Sequence, residues 1–415
     1  MWGVVLIAAS VLLAGAIPAY SAAPSPLSEL IAEAEANNPL IRAVEHDWRA
    51  LTHVRKQVTT LPDPQFTIQE FSVGSPKPFA GFTTSNFAYI GIGASQQLPY
   101  PGKLRLKGIA ADRSADVVRA QIEILRASIA EQVKAAYFHL AYLQQTLGSL
   151  ETSRIMLGQL IDSELSRYST GQGSQADVLK AQLARTKLVR EITMHHQQMG
   201  QVQADLKELL HRPQTSPDIV AGELTATPLR QSVADLLQLA RKQNPAVQFD
   251  SRGVVKQAAE LKSAERAGKP DFNLGYMYQR TGTDFPAYYM LTFGIDLPRR
   301  RRVKAEIAES AESLQSARER LDNGIQQELA EVQKQYVTAT NTAEVLTEYR
   351  QGLLPQADAA FHAALAEYES NKQPFSSVLT ALDETLQLKR DCAQTLLAHE
   401  IAIARLEALT GETLR

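Results

Sequence analysis

Ala88-Tyr89-Ile90-Gly91-Ile92-Gly93-Ala94-Ser95-Gln96-Gln97-Leu98-Pro99-Tyr100-Pro101-Gly102-Lys103 is the stretch on which the fold turns. Ala88, Ile90, Ile92, Ala94, Gln96 and Leu98 alternate with Gly91, Gly93, Ser95 and Gln97. That spacing gives a strand with one largely apolar face. Pro99, Pro101 and Gly102 end it. A helical pattern starts at Lys103 and runs to about Tyr168.

The same succession occurs twice. Leu98-Pro99 recurs as Leu297-Pro298, Asn38-Pro39 as Asn244-Pro245, and Pro64-Gln65-Phe66 as Pro270-Asp271-Phe272. Farther on, Tyr168, Val178-Leu179, Leu206 and Leu209 recur as Tyr368, Val378-Leu379, Leu406 and Leu409. A period this long means two equivalent halves rather than a solenoid. The first repeat is expected over 24–211, with strands at 65–71 and 87–98 and helices at 103–170 and 175–210. A linker follows over 212–230. The second repeat is expected over 231–415, with strands at 272–280 and 288–297 and helices at 301–370 and 375–410.

The strand regions 65–100 and 271–298 hold 14 of the 27 aromatic residues. Aromatic side chains on short strands are what a lipid-facing barrel sets at its interfaces. Four strands cannot close a barrel in lipid, where every backbone polar group needs a partner. Three chains of four strands supply twelve and remove the edges.

The helices carry seams of 3–4 spacing. Val178, Ala181, Arg185, Leu188, Ile192, His195, Met199, Val202, Leu206 and Leu209 form one, and its copy starts at Val378. The preceding helix carries Leu140, Leu143, Leu147, Leu150, Arg154, Leu157, Ile161, Glu164 and Tyr168. Such spacing is that of a coiled coil. At 1.5 Å per residue, 103–170 spans roughly 100 Å. The return helix and the helix at 39–61 together nearly match it, which predicts one wall segment per half and a twelve-helix tunnel per trimer.

Composition narrows the function. Lys+Arg 43 against Asp+Glu 45 gives a net charge of −2, without the basic excess that nucleic acid calls for. The single cysteine, Cys392, reads as a small buried hydrophobe and excludes an intrachain disulfide. His195-His196 do not share a helix face and read as structural. No catalytic triad order, phosphate loop or metal-ligand spacing stands out, so neither an enzyme nor a cofactor is expected. Residues 1–23 contain an apolar run, Val4 to Ile17, ahead of Ser21-Ala22-Ala23, and read as a signal peptide. Arg299 to Arg302 with Lys304 follow one strand, and Lys103, Arg105 and Lys107 follow the equivalent strand. Contact of both clusters with lipid phosphates is expected.

The chain resembles the TolC-type outer-membrane efflux proteins, the outer membrane factors of tripartite efflux pumps, over essentially its whole mature length. The residues that carry the likeness are Gln96-Gln97-Leu98-Pro99-Tyr100-Pro101-Gly102-Lys103, Leu353-Leu354-Pro355-Gln356-Ala357, and Tyr168 to Gly171 leading to Ala176-Asp177-Val178-Leu179, in duplicated context. The resemblance implies a mainly α protein with a β-barrel contribution: a homotrimer in the outer membrane, with a twelve-stranded barrel and a helical tunnel in the periplasm. It implies passive export of substrate delivered by a periplasmic membrane-fusion adaptor and an inner-membrane pump, for example of the resistance-nodulation-division type. The turns at 169–174 and 369–375 would be the tunnel tips, with Tyr168, Gly171, Asp177, Tyr368 and Asn371 as gating residues. Some relatives carry two acidic residues just after the second tip, where this chain has Ser377 and Thr380. Asp177 is the nearest acidic candidate. Pro99, Pro101, Gly102, Lys103, Pro298 and Arg299 would form the strand-to-helix junctions. A secretion-system channel for polypeptides would use the same fold. A periplasmic coiled-coil adaptor or scaffold would share the helical hairpins but has no need of four aromatic strands.

Overall fold

A computed structural model describes residues 24–82, 85, 87–282 and 287–414. The expected signal segment 1–23 and parts of the loops 72–86 and 281–287 lie outside the described residues. Each half opens with two helices that meet at an Asn-Pro step. In the first half these are α1, Leu27–Asn37, and α2, Pro39–Thr59. Proline has no N–H to donate and is pre-set for a first helical turn, so one helix stops and the next starts there. Asn38 caps the restart, its Oδ1 accepting from Leu40 N at 2.9 Å. In the second half α5, Val233–Gln243, precedes α6, Pro245–Ala267. Asn244 Oδ1 accepts from Ala246 N at 2.8 Å and Val247 N at 3.0 Å.

Four strands form one antiparallel sheet in the order β1-β2-β3-β4: Gln65–Phe71, Tyr89–Leu98, Asp271–Thr281 and Tyr288–Asp296. The hairpin of one half pairs with that of the other through β2 and β3, with Ile92 opposite Tyr278 and Leu98 opposite Phe272. The pairing register lines one face with Phe66, Ile68, Ile92, Leu274, Tyr276, Leu291 and Phe293, all exposed. The other face carries Thr67, Gly91, Gly93, Ser95, Asn273, Gly275, Thr292 and Gly294. β2 begins at Tyr89 rather than at 87, and Phe87 ahead of it is exposed.

Below the sheet run the long helices. α3, Lys103–Ser169, is unbroken over 67 residues, and α4, Gln175–Leu209, returns along it. In the second half a single helix over 301–370 was expected. It is instead α7, Arg300–Glu348, a π-helical turn over Tyr349–Leu353, and α8, Leu354–Glu369. The cause is Pro355, which cannot donate within an α-helical ladder. Leu354 N–H reaches back five residues to Tyr349 O, and the wider turn absorbs the misfit. α9, Phe375–Thr410, returns along the pair.

The apolar core is strung along these rods. Leu140, Leu143, Leu206 and Leu210 pack in one cluster, Leu150, Leu157, Leu188, Phe361 and Val378 in a second, and Leu236, Val332, Ile403 and Leu406 in a third. Leu382 and Leu386 are buried beside the seam of α9, so the packed face is wider than a two-position coiled-coil stripe. Residues 212–230 have almost no regular structure and are girdled against the rods by polar ties. Gln203 Nε2 donates to Ile219 O at 2.6 Å and its Oε1 accepts from Ile219 N at 3.0 Å. Glu400 Oε1 accepts from Thr227 N at 2.6 Å, and His399 Nε2 lies 2.8 Å from Thr227 O. No helix among the described residues is long and apolar enough to cross a membrane.

Candidate functional site

The two hairpin ends are built by the same backbone device from different residues. After α3, Gly171 takes φ +74°, and Gln172 N and Gly173 N donate to Arg167 O at 2.8 and 3.0 Å. After α8, Asn371 takes φ 56°, and Lys372 N donates to Glu367 O at 2.8 Å. Each is a left-handed helix stop that satisfies the last carbonyls. Asparagine tolerates that conformation better than most side chains. A Cβ at Gly173 would lie 2.9 Å from Tyr168 N, so that position leaves no room for a side chain.

Side chains then tie one tip to the other. The Arg167 guanidinium lies 4.9 Å from the Tyr368 ring centroid and donates to Asn371 Oδ1. Tyr368 is 4% exposed and meets Phe375 edge-on at 5.3 Å. Its counterpart Tyr168 is 46% exposed, so the two tyrosines do not share one environment. Glu164 stands on the same side, 2% exposed, with Oε1 3.8 Å from Arg167 Nε. Burial pushes its carboxyl above the usual range, Arg167 opposes that, and Asp177 adds to it. Glu164 Oε1 and Tyr368 Oη have no hydrogen-bond partner among the described residues. Asp177 lies in the first turn of α4, where the helix end favours a carboxylate, 3.7 Å from Lys180 Nζ.

The strand-to-helix junction of the first half is held by the second. Gly102 turns at φ +93°, and Lys103 N donates to Tyr100 O at 3.0 Å. Asp271 Oδ1 accepts from Tyr100 N at 2.7 Å and from Lys103 Nζ at 2.8 Å. Arg266 donates to Pro101 O at 2.7 Å and sits 4.8 Å over the Tyr100 ring. Lys103 is therefore a buried ion-pair partner, 8% exposed, and is not the lipid-contact cation expected from sequence. The second junction is bare: Pro298 leads to Arg299, the N-cap of α7, which makes no side-chain cap bond. The structure brings Tyr368 and Asn371 together and leaves Tyr168 and Asp177 outside that contact. Sequence reading missed Arg167, Arg266 and Asp271. Asp271 did leave a signal, as the acidic member where the first repeat has Gln65.

Among the described residues no group of histidine, cysteine, aspartate and glutamate could hold a metal ion. A groove of about 480 Å³ between α4 and α9 has Leu183 and Leu379 in its lining, with Lys180 and Lys187 opposite Asp383 and Glu384.

No family model matches the chain, and no curated protein matches it in sequence. Solved structures do match in shape. The outer-membrane channel OprN superposes with a TM-score of 0.78 at 16% identity, over 94% of this chain and 90% of that one. VceC, an outer membrane protein of Vibrio cholerae, gives 0.77 at 17% identity, over 94% and 97%. CusC, described for its transmembrane channel formation, gives 0.77 at 16% identity, over 93% and 92%. At these identities the likeness fixes the architecture, and the chain has the fold of the TolC-type outer-membrane efflux channels.

Proposed function

We propose that the chain is one protomer of a homotrimeric channel in the outer membrane, with its helical part in the periplasm. It conducts substrate passively from a periplasmic adaptor and an inner-membrane pump. The observation that carries this reading is the sheet: one apolar exposed face, one polar and glycine-rich face, and two outer strands, β1 and β4, with open edges. In lipid those edges must be paired, and pairing β4 of one protomer with β1 of the next closes a barrel whose polar face lines the lumen. A coiled-coil adaptor has no use for such a sheet. The groove between α4 and α9, with leucines in its lining, Lys180 and Lys187 facing Asp383 and Glu384, and the Glu191–Arg390 ion pair also in its lining, suits the helical tip of an adaptor. The contact of Arg167 with Tyr368 and Asn371 is the proposed latch of the closed tunnel.

The test is mass and conductance together. Detergent-extracted protein should have the mass of three protomers and form channels in planar bilayers. A stable monomer that conducts, or a trimer that never does, overturns the proposal.

A further inference from the structure

Among the described residues five helix starts, those of α1, α2, α4, α5 and α6, are compensated. Asn38, Ser174, Ser232 and Asn244 cap theirs with side-chain oxygens, and Glu29, Asp177 and Asp235 place carboxylates in first turns. α3, α8 and α9 have neither a side-chain cap nor a first-turn acid, and α7 adds a run of arginines to the same lack. It has no side-chain cap, no acid in its first turn, and exposed arginines at 299 to 302 on the positive end of the helix dipole. Among the described residues only Arg302 of the four has an ion-pair partner, Glu306 at 3.2 Å.

A second basic feature lies under the other outer strand. A groove of about 710 Å³ sits between the end of α2, the approach to β1 and the start of α3. Val58, Leu61 and Leu104 give it an apolar lining, His53, Lys56 and Lys107 supply basic groups, and Asp63 is its one acidic residue. The exposed apolar face of the sheet ends at the same level, at Phe66, Leu98, Ile295 and Leu297.

The two features meet only in an assembly. If β4 pairs antiparallel with β1 of the next protomer, the chain leaving β4 into α7 lies beside the chain entering β1. That puts the arginine run of one protomer at the groove of its neighbour. Cations then converge in excess of the carboxylates near them, which are Asp63 in the groove, Asp271 close to Lys107, and Glu306 on Arg302, next to an apolar surface.

We propose that this rim binds anionic phospholipid headgroups of the leaflet that faces the periplasm. The phosphate lies among Lys56, Lys107, Arg300 and Arg301, and the acyl chains run along the apolar face of the sheet. A free phosphate ion would make no use of that face. The inference rests on the trimeric channel reading.

The experiment uses the full-length trimer in vesicles of phosphatidylethanolamine and phosphatidylglycerol, followed by mild detergent extraction and native mass spectrometry of the lipids retained. The wild type should retain phosphatidylglycerol over phosphatidylethanolamine by about fivefold or more, since each surface cation contributes about 1 kcal/mol. Arg300→Gln with Arg301→Gln, and separately Lys56→Gln with Lys107→Gln, should bring the ratio near unity. Lys56→Arg with Lys107→Arg should keep it. Should the glutamine variants not assemble, the wild-type ratio must still fall from low to high salt. Equal retention of both lipids by an intact wild-type trimer overturns the proposal, leaves the arginines to an acidic soluble partner, and leaves the channel reading standing. Absence of a wild-type trimer sinks the channel reading itself.

Discussion

Glu164 shows how one residue can be set against its own fold. Its side chain is buried, its Oε1 has no hydrogen-bond partner among the described residues, and its protonation is favoured in the folded tip. A carboxyl raised in the folded state imposes its penalty above the folded pKa and is relieved as pH falls through it. Glu164→Gln should therefore raise the Tm at pH 7, with the gain over wild type shrinking as the solution is acidified. A pH-independent difference would contradict this. Glu33 works in the other sense. Hydrogen bonds from Arg212 at 2.5 and 2.6 Å hold its carboxyl below the usual range, burial opposes them, and the Arg212 charge adds to them. The tie is present above the ordinary carboxylate range and is lost as pH falls through the lowered value. Arg212→Gln should move the acid-unfolding midpoint to higher pH, and an unmoved midpoint would show the pair to be idle. At the tip, Arg167→Ala removes the hydrogen bond to Asn371 and the contact with the Tyr368 ring, and on the proposed channel reading single-channel conductance should rise without loss of the trimer. Tyr168→Phe should leave conductance unchanged, because its side chain is outside the contact. The sequence pointed at both tyrosines equally. It could not separate them, because a repeat gives equivalent positions and not equivalent neighbours. Arg167 has no counterpart of its own kind, since Glu367 stands 200 positions on.

At the scale of elements, the legible features were those with a strict period or a backbone exclusion. The alternation in β2, the Asn-Pro restarts and the seam at Val178 follow from geometry that any neighbour would respect. The π turn was less legible, because Pro355 lies inside an otherwise helical pattern and its consequence appears one turn earlier. The wider packed face of α9 was not legible either, because Leu382 and Leu386 fall between the seam positions. Close approach of α2 to α3 depends on Gly108, where a Cβ would lie 2.5 Å from Thr59 Cγ2. Gly108→Ala should force the two helices apart and cost about 1–3 kcal/mol, as overpacking does. Denaturant unfolding would measure it, and a neutral change would mean that Thr59 turns aside. Leu206→Ala, at a fully buried position, should cost about 2–5 kcal/mol.

At the scale of the whole molecule, the four-stranded sheet, the rods and the hairpin ends were legible from the duplication. The ties between halves were not, because they join residues far apart in sequence with no shared pattern. On the proposed topology Ser75→Cys reacts with an impermeant thiol reagent on intact cells and Ser174→Cys does not; the reverse labelling would invert the channel. Those distant ties also set an order of events. Tyr100 and Asp271 meet from 171 positions apart, whereas α3 and α4 meet across a turn of a few residues. Local contacts form before those that must first close a long loop. Each helical hairpin can thus mature while its strands are still solitary, and the sheet is stitched only after the second half has emerged. On the proposed trimeric channel reading, the new chain would then travel as stalks trailing unpaired ribbons, and the membrane-facing part would come into being last, at the moment three chains find one another.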